Sequence, residues 1–333
     1  MTTLALLPDT TSPLDEAIAE AAFEDILDGR ASDEAVIRFL TDMAARDETS
    51  LEIAAAARAM RRRMIPIEAP ANAIDVCGTG GDGAHSLNIS TAVAIVVAAA
   101  GVPVAKHGNR AASSKAGAAD TLEALGLDLS IASATAERSL ADLGIGFLFA
   151  QTHHPALARL GPIRRAIGKR TIFNLLGPMA SPARVTRQLI GVARVDYLPT
   201  VAAALEYLGT ESAMVVSGEE SLDELSIAGP SRVIRIGRMT GRSEEVVTPE
   251  DAGLARHGLH AIRGGDPAYN AAALRRLLQG EPGAYREAVL LNSAAALIVA
   301  GAADSWAEGM EEAAETIDKG LANALLDCWI AFR

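Results

Sequence analysis

The sequence predicts an α/β protein in which a small N-terminal helical domain precedes a larger domain with a mostly parallel central sheet flanked by helices. Apolar residues recur at helical spacing through residues 14–64. After residue 70, short apolar runs alternate with helical patterns, which is typical of parallel strands joined by crossovers. We therefore expect a helical domain over residues 1–70, which helices around residues 155–183 could join, and an α/β domain over residues 71–333.

The helical domain carries recognisable helix ends. Thr49 and Glu52 have the spacing of a capping box, in which each side chain bonds the other residue's backbone N–H. The basic run at residues 61–63 fits a helix C-terminus, where cations interact favourably with the helix dipole. We interpret this run as a solvated helix end rather than a binding patch.

The larger domain is predicted from apolar runs of strand length and from long helical patterns. Residues 237–249 are polar and are predicted to form a β-rich excursion rather than a site. Long helices are predicted over residues 267–279, 285–300 and 306–332. The predicted strands span residues 74–77, 102–106, 146–149, 189–193, 213–217 and 233–236.

Composition narrows the classes of function. A chain of 333 residues can bury a large core, and its net charge of -12 disfavours a nucleic-acid or anionic-membrane surface. Any polyanion must therefore be held by local donors or through a metal. The two cysteines, Cys77 and Cys328, lack ligand-like spacing and imply neither a disulfide nor zinc. Residues 1–13 do not resemble a signal peptide, and no apolar run reaches about 18 residues, so we expect a cytoplasmic protein with no membrane partner.

The first predicted strand ends in a turn rich in glycine. Gly78, Gly80, Gly81 and Gly83 surround Asp82, and consecutive N–H groups in such a turn can form a nest for an anion. The spacing matches neither the dinucleotide fingerprint nor the nucleotide-binding P-loop. Residues 88–91 then precede an apolar run and predict a helix N-terminus, a second place for an anion. Taken alone, the turn could equally be an ordinary strand-to-helix connection.

Two further polar segments are candidates for the same site. Residues 106–118, after the second predicted strand, supply lysine, histidine, amide, arginine and hydroxyl donors. Ligands gather at the carboxyl ends of parallel strands, so we favour binding over a merely solvated loop. The adjacent acids Asp223 and Glu224 could simply complement a helix dipole. Beside a bound polyphosphate we interpret them instead as ligands for magnesium, which prefers carboxylate oxygens.

Five motifs in register resemble the anthranilate phosphoribosyltransferase family over nearly the whole chain. They span residues 78–82, 88–91, 106–115, 170–178 and 222–226. The resemblance implies the nucleoside phosphorylase/phosphoribosyltransferase-like fold and transfer of a phosphoribosyl group from phosphoribosyl pyrophosphate to anthranilate, a step of tryptophan biosynthesis. It also implies two Mg²⁺ ions per active site and a homodimer formed through the helical domain.

Site residues follow from the resemblance position by position. Magnesium would be held by Ser90, Asp223 and Glu224. Anthranilate would be faced by Gly78, Asn109 and Arg164, with His107 and His154 nearby. Phosphoribosyl pyrophosphate would be contacted by Gly78, Gly81, Asp82, Ser86, Asn88, Ile89, Ser90, Thr91, Lys106, His107, Gly108, Asn109, Arg110, Ala111, Ala112, Ser113, Ser114 and Ala118.

The chain departs from the family pattern at three positions. Ser86 replaces a threonine and keeps the hydroxyl, and Gln151 stands where proline is common. Ser221 replaces a glycine just before the acidic pair. A residue other than glycine is strained at positive φ, so Ser221 raises a question about the backbone that delivers Asp223.

No residue is assigned as a general acid or base, because an aromatic amine is already neutral and nucleophilic near neutral pH. Stabilisation should fall mainly on the departing pyrophosphate. The alternatives are a pyrimidine nucleoside phosphorylase-like enzyme, which needs neither the acidic pair nor Arg164, and a nucleic-acid-binding relative of the same fold, whose basic groove conflicts with the net charge. A plain helical scaffold would leave the clustered glycines unexplained.

Overall fold

The structure is a computed structural model that describes residues 4–111, 114–237 and 240–333. Its first part consists of helices α1 (Glu16–Leu27), α2 (Asp33–Ala45) and α3 (Ser50–Arg61). Thr49 and Glu52 form the predicted capping box at the start of α3. The Glu52 carboxylate also accepts from the backbone N–H of Leu14 (2.9 Å) and pairs with Arg46, so this helix start is tied to the chain that precedes α1.

The basic end of α3 is only partly the solvated end that the sequence predicts. Arg62 and Arg63 lie along α1 and pair with its acidic residues, among them Glu24. Arg61 instead turns inward, and its Nε–H donates to the carbonyl of Met179 at 2.7 Å. Burial lowers the pKa of this guanidinium to about 10. The prediction was wrong for Arg61 because one helix end faces both α1 and the α/β part of the chain.

In the described residues a 7-stranded sheet has the order β3-β2-β1-β4-β5-β6-β7. Neighbours from β3 to β5 are parallel, and β6 and β7 form an antiparallel hairpin at the edge. The chain order reverses between β1 and β4, where Gly78 lies opposite Gly191. The strands are β1 (Ile74–Gly78), β2 (Val104–Gly108), β3 (Ile145–Phe149), β4 (Arg187–Gly191), β5 (Ser212–Gly218), β6 (Ser231–Gly237) and β7 (Gly241–Val247).

Helices connect and cover these strands. Short 3₁₀ turns occupy Pro155–Leu157, Ile172–Asn174, Val195–Tyr197, Pro249–Ala252 and Leu259–Ile262. The helices are α4 (Ile89–Ala99), α5 (Ala118–Ala124), α6 (Leu129–Ala134), α7 (Ala136–Leu143), α8 (Ala150–His153), α9 (Leu160–Ile167), α10 (Leu198–Tyr207), α11 (Pro267–Leu278), α12 (Ala284–Ala300), α13 (Trp306–Asp318) and α14 (Leu321–Ala331).

Two large apolar cores lie on opposite faces of the sheet. One joins the sheet to α4, α11, α12, α13 and α14. The other joins α1, α2 and α3 to α10, to residues 160–180 and to the opposite sheet face. Within it, Phe23 of α1 meets Phe39 and Phe173 edge to face, with ring centroids 5.5 and 6.3 Å apart. The second core therefore fixes the helical part of the chain against the sheet.

The predicted fold class is confirmed, with corrections to its elements. The strand predicted over residues 102–106 begins instead at Val104, because Val102 still closes the turn after α4 and Pro103 cannot donate a ladder bond. The helix predicted over residues 306–332 is wrong as a single element. Gly320 has φ +73° and separates α13 from α14. The predicted β-rich excursion is largely the hairpin of β6 and β7, although Arg238 and Met239 lie outside the described residues.

Within the described ranges, no helix has both the length and the apolar character needed to cross a membrane. The thiols of Cys77 and Cys328 are both free.

Candidate active site at the carboxyl edge of the sheet

The glycine-rich turn after β1 has the backbone that its sequence predicts. Gly80, Gly81 and Gly83 have φ values of +67°, +77° and +72°, and a Cβ on any of them would meet no atom within 4 Å. Backbone conformation rather than lack of space therefore requires glycine at these three positions. The Gly80 N–H donates to Oδ2 of Asp223 at 2.7 Å, and the Ala84 N–H donates to Oδ1 of Asp82 at 3.1 Å.

Asp223 lies directly over the point where the strand order reverses. An ideal Cβ on Gly78 would lie 2.1 Å from its Oδ2, and one on Gly191 only 1.5 Å from its carbonyl oxygen. The two glycines at the ends of β1 and β4 therefore make room for Asp223. Gly191 was not singled out from the sequence, although a glycine inside a strand pattern indicates close approach of another backbone.

Ser221 lies in the turn that delivers Asp223. It has φ +67°, so the strained conformation that the sequence raised as a question is present. Its N–H donates to the carbonyl of Gly218 at 3.0 Å, and the Gly218 N–H donates to the carbonyl of Leu222 at 2.9 Å. This closed turn holds Ser221 in the left-handed region without glycine.

The acidic side chains at this point repel one another. Burial and the neighbouring Asp82 raise the pKa of Asp223. Burial, and next the charge of Asp223, raise the pKa of Glu224 well above its usual range, while Lys106 opposes the shift. The backbone N–H of Ser90, in the first turn of α4, also opposes the rise in the pKa of Glu224, to a smaller extent. A cation would relieve the repulsion that raises both carboxyl pKa values.

The donor set fits magnesium better than a metal held entirely by protein. Among the residues that the structure describes, no three or more histidine, cysteine or acidic side chains are arranged to hold a metal ion. Mg²⁺ is usually bound by one or two carboxylates together with water and substrate phosphates. Asp223 and Glu224, backed by the hydroxyl-bearing Ser90, satisfy that requirement.

The side chains at the start of α4 are largely turned into the protein rather than towards solvent. Asn88 precedes the helix, but its amide turns inward: Oδ1 accepts from Thr121 (2.5 Å) and Asn270 (2.9 Å), and Nδ2 donates to the carbonyl of Ala116 (3.2 Å). Ile89 and Thr91 are buried. Ser86 pairs with Arg263 in an isolated antiparallel bridge. Any contact from Asn88 to a ligand must therefore come from its backbone or follow a rearrangement of its side chain.

Beyond β2, the predicted polar loop folds back on itself. Asp120 accepts from the N–H groups of Ala111 and Gly117, both at 2.9 Å. Arg110 pairs with Asp120 and Glu123, both at 2.8 Å, so two carboxylates engage its guanidinium in this structure.

The other predicted site residues of this loop that the structure describes contact its own backbone or lie at the end of β2 or the start of α5. Oδ1 of Asn109 accepts from the Arg110 N–H at 2.8 Å. Gly108 ends β2 against Phe147, Ser114 donates to the carbonyl of Ala116, and Ala118 begins α5. Ala112 and Ser113, which the sequence also singles out, lie outside the described residues.

Two predicted histidines meet in a buried setting. The rings of His107 and His154 lie 5.2 Å apart. Nδ1 of His107 is 3.0 Å from the carbonyl of Gly177, and the Nε2 atoms of both rings have no partner among the described residues. Burial lowers the pKa of His107 to about 3 and that of His154 to about 4. Both imidazoles are therefore neutral near neutral pH.

Arg164 and Arg165 have different surroundings, as adjacent residues on a helix should. In α9, Arg164 is half-buried and Arg165 is exposed. Burial lowers the pKa of Arg164. No ion pair to Arg164 occurs within the described ranges, and no hydrogen bond there links it to the acidic residues or to the histidines. Gln151 is exposed in α8, away from the buried face that carries His153.

Comparison with known proteins covers almost the whole chain. Residues 70–323 match the model of the glycosyl transferase family a/b domain, and residues 9–64 match that of the glycosyl transferase family helical bundle domain. The chain is 65% identical to the anthranilate phosphoribosyltransferase of Novosphingobium aromaticivorans, over 98% of this chain and 99% of that protein.

Solved structures agree with this similarity. The crystal structure of anthranilate phosphoribosyltransferase from Thermus thermophilus matches with a TM-score of 0.92 and 42% identity, covering 97% of this chain and 96% of that one. The Saccharomyces cerevisiae enzyme in complex with PRPP and Mg matches with a TM-score of 0.87 and 29% identity, covering 96% and 93%.

Proposed function

The chain belongs to the anthranilate phosphoribosyltransferase family, and we propose that it transfers the 5-phosphoribosyl group of phosphoribosyl pyrophosphate to the amine of anthranilate. The products are N-(5-phosphoribosyl)anthranilate and pyrophosphate, in the second step from chorismate to tryptophan. One observation supports this activity above the others: Asp223, the first residue of the acidic pair, lies over the switch point of the sheet, beside the glycine-rich turn. Ligands of open α/β sheets bind at such a point.

Asp223, Glu224 and Ser90 would hold Mg²⁺, two ions in each active site. Bound there, magnesium neutralises charge on the departing pyrophosphate. The donor set supports this assignment, because burial and then repulsion from a neighbouring carboxylate raise the pKa values of Asp223 and Glu224, and a cation would relieve the repulsion. The Gly80 N–H keeps Asp223 in place through its 2.7 Å bond.

Different residues would bind the two substrates. Residues 81–83 of the glycine-rich turn and the start of α4 would bind phosphoribosyl pyrophosphate through their N–H groups, with Lys106 and the loop after β2. Arg164, whose guanidinium has no acidic partner in the described ranges, would bind the anthranilate carboxylate. His107 and His154 would line the ring site as neutral groups, with Gly78 and Asn109.

No side chain needs to remove a proton before the amine attacks, since anthranilate is a neutral nucleophile. The low pKa values of His107 and His154 agree with this view, because such imidazoles are weak bases. The chain instead orients the amine towards C1 of the ribose and places N–H donors around the leaving group.

We also propose a cytoplasmic homodimer formed through the helical domain, with that domain at residues 1–70 and the α/β domain at residues 71–333. An apolar patch supports the dimer: Leu6 is 97% exposed and Ile18 of α1 is 47% exposed on neighbouring surface.

The activity is tested by loss of anthranilate fluorescence on addition of phosphoribosyl pyrophosphate and Mg²⁺. We expect turnover that EDTA abolishes and Mg²⁺ restores. Arg164→Ala should raise the anthranilate KM about tenfold or more, through loss of a charge-assisted contact worth about 1.5–3 kcal/mol. It should change the KM for phosphoribosyl pyrophosphate much less.

Arg165→Ala is the matched control, since Arg165 is exposed on the same helix, and it should change neither KM. Equal effects of the two substitutions, or a selective effect of Arg164→Ala on the sugar phosphate, would contradict the assignment of Arg164. Turnover of a pyrimidine nucleoside with phosphate in place of anthranilate would refute the proposed function.

A further inference from the structure

The backbone ladder between β1 and β2 stops after its first pair. β1 pairs with β4 along all 5 of its residues, and β2 pairs with β3 along all 5 of its own. Between β1 and β2, however, the register contains only Ile74 opposite Val104. The two strands are therefore held by other contacts towards their carboxyl ends, where the candidate site lies.

The carboxylate of Asp75 occupies this break in the ladder. It is 0% exposed, and its Oδ1 accepts from the backbone N–H of His107 at 3.1 Å. Its Oδ2 accepts from the Cys77 thiol at 3.5 Å. A side-chain oxygen of β1 thus takes the N–H that a peptide carbonyl would accept in a regular parallel ladder. Asp75 sets the place of His107 on β2 although it is not among the predicted site residues.

A buried lysine of β2 interacts electrostatically with the same carboxylate. Lys106 is 3% exposed, and its Nζ donates to the carbonyl of His107 at 3.3 Å. Burial raises the pKa of Asp75 to about 6, and the charge of Lys106 is the largest influence that opposes the rise. Lys106 also lowers the otherwise raised pKa of Glu224. The ammonium therefore lies under the influence of two carboxylates, of which only Glu224 belongs to the proposed metal set.

The two carboxylates cannot share their roles once a cation is bound. If Glu224 ligates Mg²⁺, its charge is committed to the metal. With Glu224 as its only carboxylate partner, the buried ammonium of Lys106 would then lie near a second cation without compensation. A buried charge without a partner is strongly destabilising. Asp75 is 0% exposed and does not belong to the proposed metal set, so its charge remains available to Lys106 in both states.

We propose that Asp75 is a positioning residue: its carboxylate holds the end of β2 in the broken ladder and keeps the ammonium of Lys106 at the phosphate-binding edge while Glu224 serves the metal. This role rests on the proposed function, because the ligand that Lys106 would meet is the sugar pyrophosphate. It predicts that loss of the Asp75 charge weakens binding of the sugar pyrophosphate more than binding of anthranilate.

Calorimetric titration with phosphoribosyl pyrophosphate and Mg²⁺, in the absence of anthranilate, tests the role directly. Asp75→Asn keeps an acceptor oxygen for the His107 N–H but removes the charge, whereas Asp75→Ala removes both. We expect Asp75→Asn to weaken binding about tenfold or more. The anthranilate KM should change less than about threefold.

Glu52→Gln is the matched control, because Glu52 is also a 0% exposed carboxylate but pairs with Arg46 in the helical part of the chain. It should lower Tm without weakening binding of the sugar pyrophosphate. Unchanged affinity in Asp75→Asn, or equal losses for both substrates, would leave Asp75 as a purely structural residue and overturn the proposal.

A double-mutant cycle with Lys106→Met covers the case in which Asp75→Asn fails to fold. The double variant removes both buried charges and should fold. In the Lys106→Met background, Asp75→Asn should cause little further loss of affinity, whereas independent losses would overturn the proposal. Binding without turnover in the unaltered chain would count against the proposed function alone, and absence of binding would overturn both.

Discussion

Replacement of Gly191 by alanine should damage the site more than the fold. The new Cβ would lie 1.5 Å from the carbonyl oxygen of Asp223 and 2.4 Å from its carbonyl carbon. Both are backbone atoms, so no side-chain rotation can relieve the clash. A separation of 3.0 Å, below which Cβ contacts essentially do not occur, requires a shift of about 1.5 Å.

A shift of that size is large beside a magnesium–oxygen distance of about 2.0 Å. Misplacement of a catalytic group by about 1 Å can cost about 10²-fold in rate, so we expect kcat/KM to fall about 10²-fold or more in Gly191→Ala. The Mg²⁺ concentration needed for half-maximal turnover should rise. Overpacking of this kind costs about 1–3 kcal/mol, which corresponds to a fall in Tm of a few degrees.

Gly309→Ala is the control for overpacking alone. Its Cβ would lie 2.8 Å from the Cα of Ala294, between α12 and α13, so its Tm should also fall. Its kcat/KM and magnesium requirement should stay as in the unaltered chain. If Gly191→Ala behaved like Gly309→Ala in the fluorescence assay and in thermal unfolding followed by circular dichroism, the argument that Gly191 makes room for Asp223 would be refuted.

Two further predictions concern stability. Ser221 has φ +67°, where a residue other than glycine costs the folded chain about 1–2 kcal/mol. Glycine removes that strain but loses about 0.5–1 kcal/mol more conformational entropy on folding. Ser221→Gly should therefore stabilise the fold by about 0.5–1 kcal/mol. Ser12→Gly, at an exposed residue whose φ is not positive, should destabilise, and equal urea midpoints for the two variants would contradict this reasoning. Burial lowers the pKa of His107 and His154 to about 3 and about 4, so below the unfolded value of about 6.5 the unfolded chain binds protons that the folded chain does not. The free energy of unfolding should therefore fall as pH drops from 6.5 to 5, by up to about 1.4 kcal/mol per pH unit for each imidazole. In urea unfolding at several pH values, His154→Gln should show a shallower fall than the unaltered chain. Parallel plots of unfolding free energy against pH for the two proteins would contradict this expectation.

The sequence predicts most of the fold because its local patterns agree with the tertiary structure. Strands buried on both faces are mostly apolar runs, and the helices between them keep an apolar stripe. The pattern is less informative about where elements end. The apolar spacing continues across Gly320, so α13 and α14 read as one helix, and only the backbone at φ +73° separates them.

The candidate site is predicted where its chemistry is local in sequence. Clustered glycines indicate the turn after β1, and adjacent acids indicate Asp223 and Glu224. Gly191 and Asp75 have roles that depend on residues far along the chain, namely the backbone of Asp223 and the N–H of His107. The charged residue at position 75 inside an apolar strand was itself a signal, since a buried charge requires a partner.

Unmet charges distinguish the proposed reaction from its nearest alternative. Asp82, Asp223 and Glu224 form a negative group that favours a cation, while Arg164 is a half-buried cation with no acidic partner in the described ranges. Anthranilate with a magnesium-bound pyrophosphate supplies a partner to both, because its carboxylate can bind the guanidinium in two parallel contacts. A pyrimidine nucleoside with phosphate has no carboxylate and would leave the half-buried guanidinium of Arg164 without an acidic partner, which disfavours a site specific for that substrate.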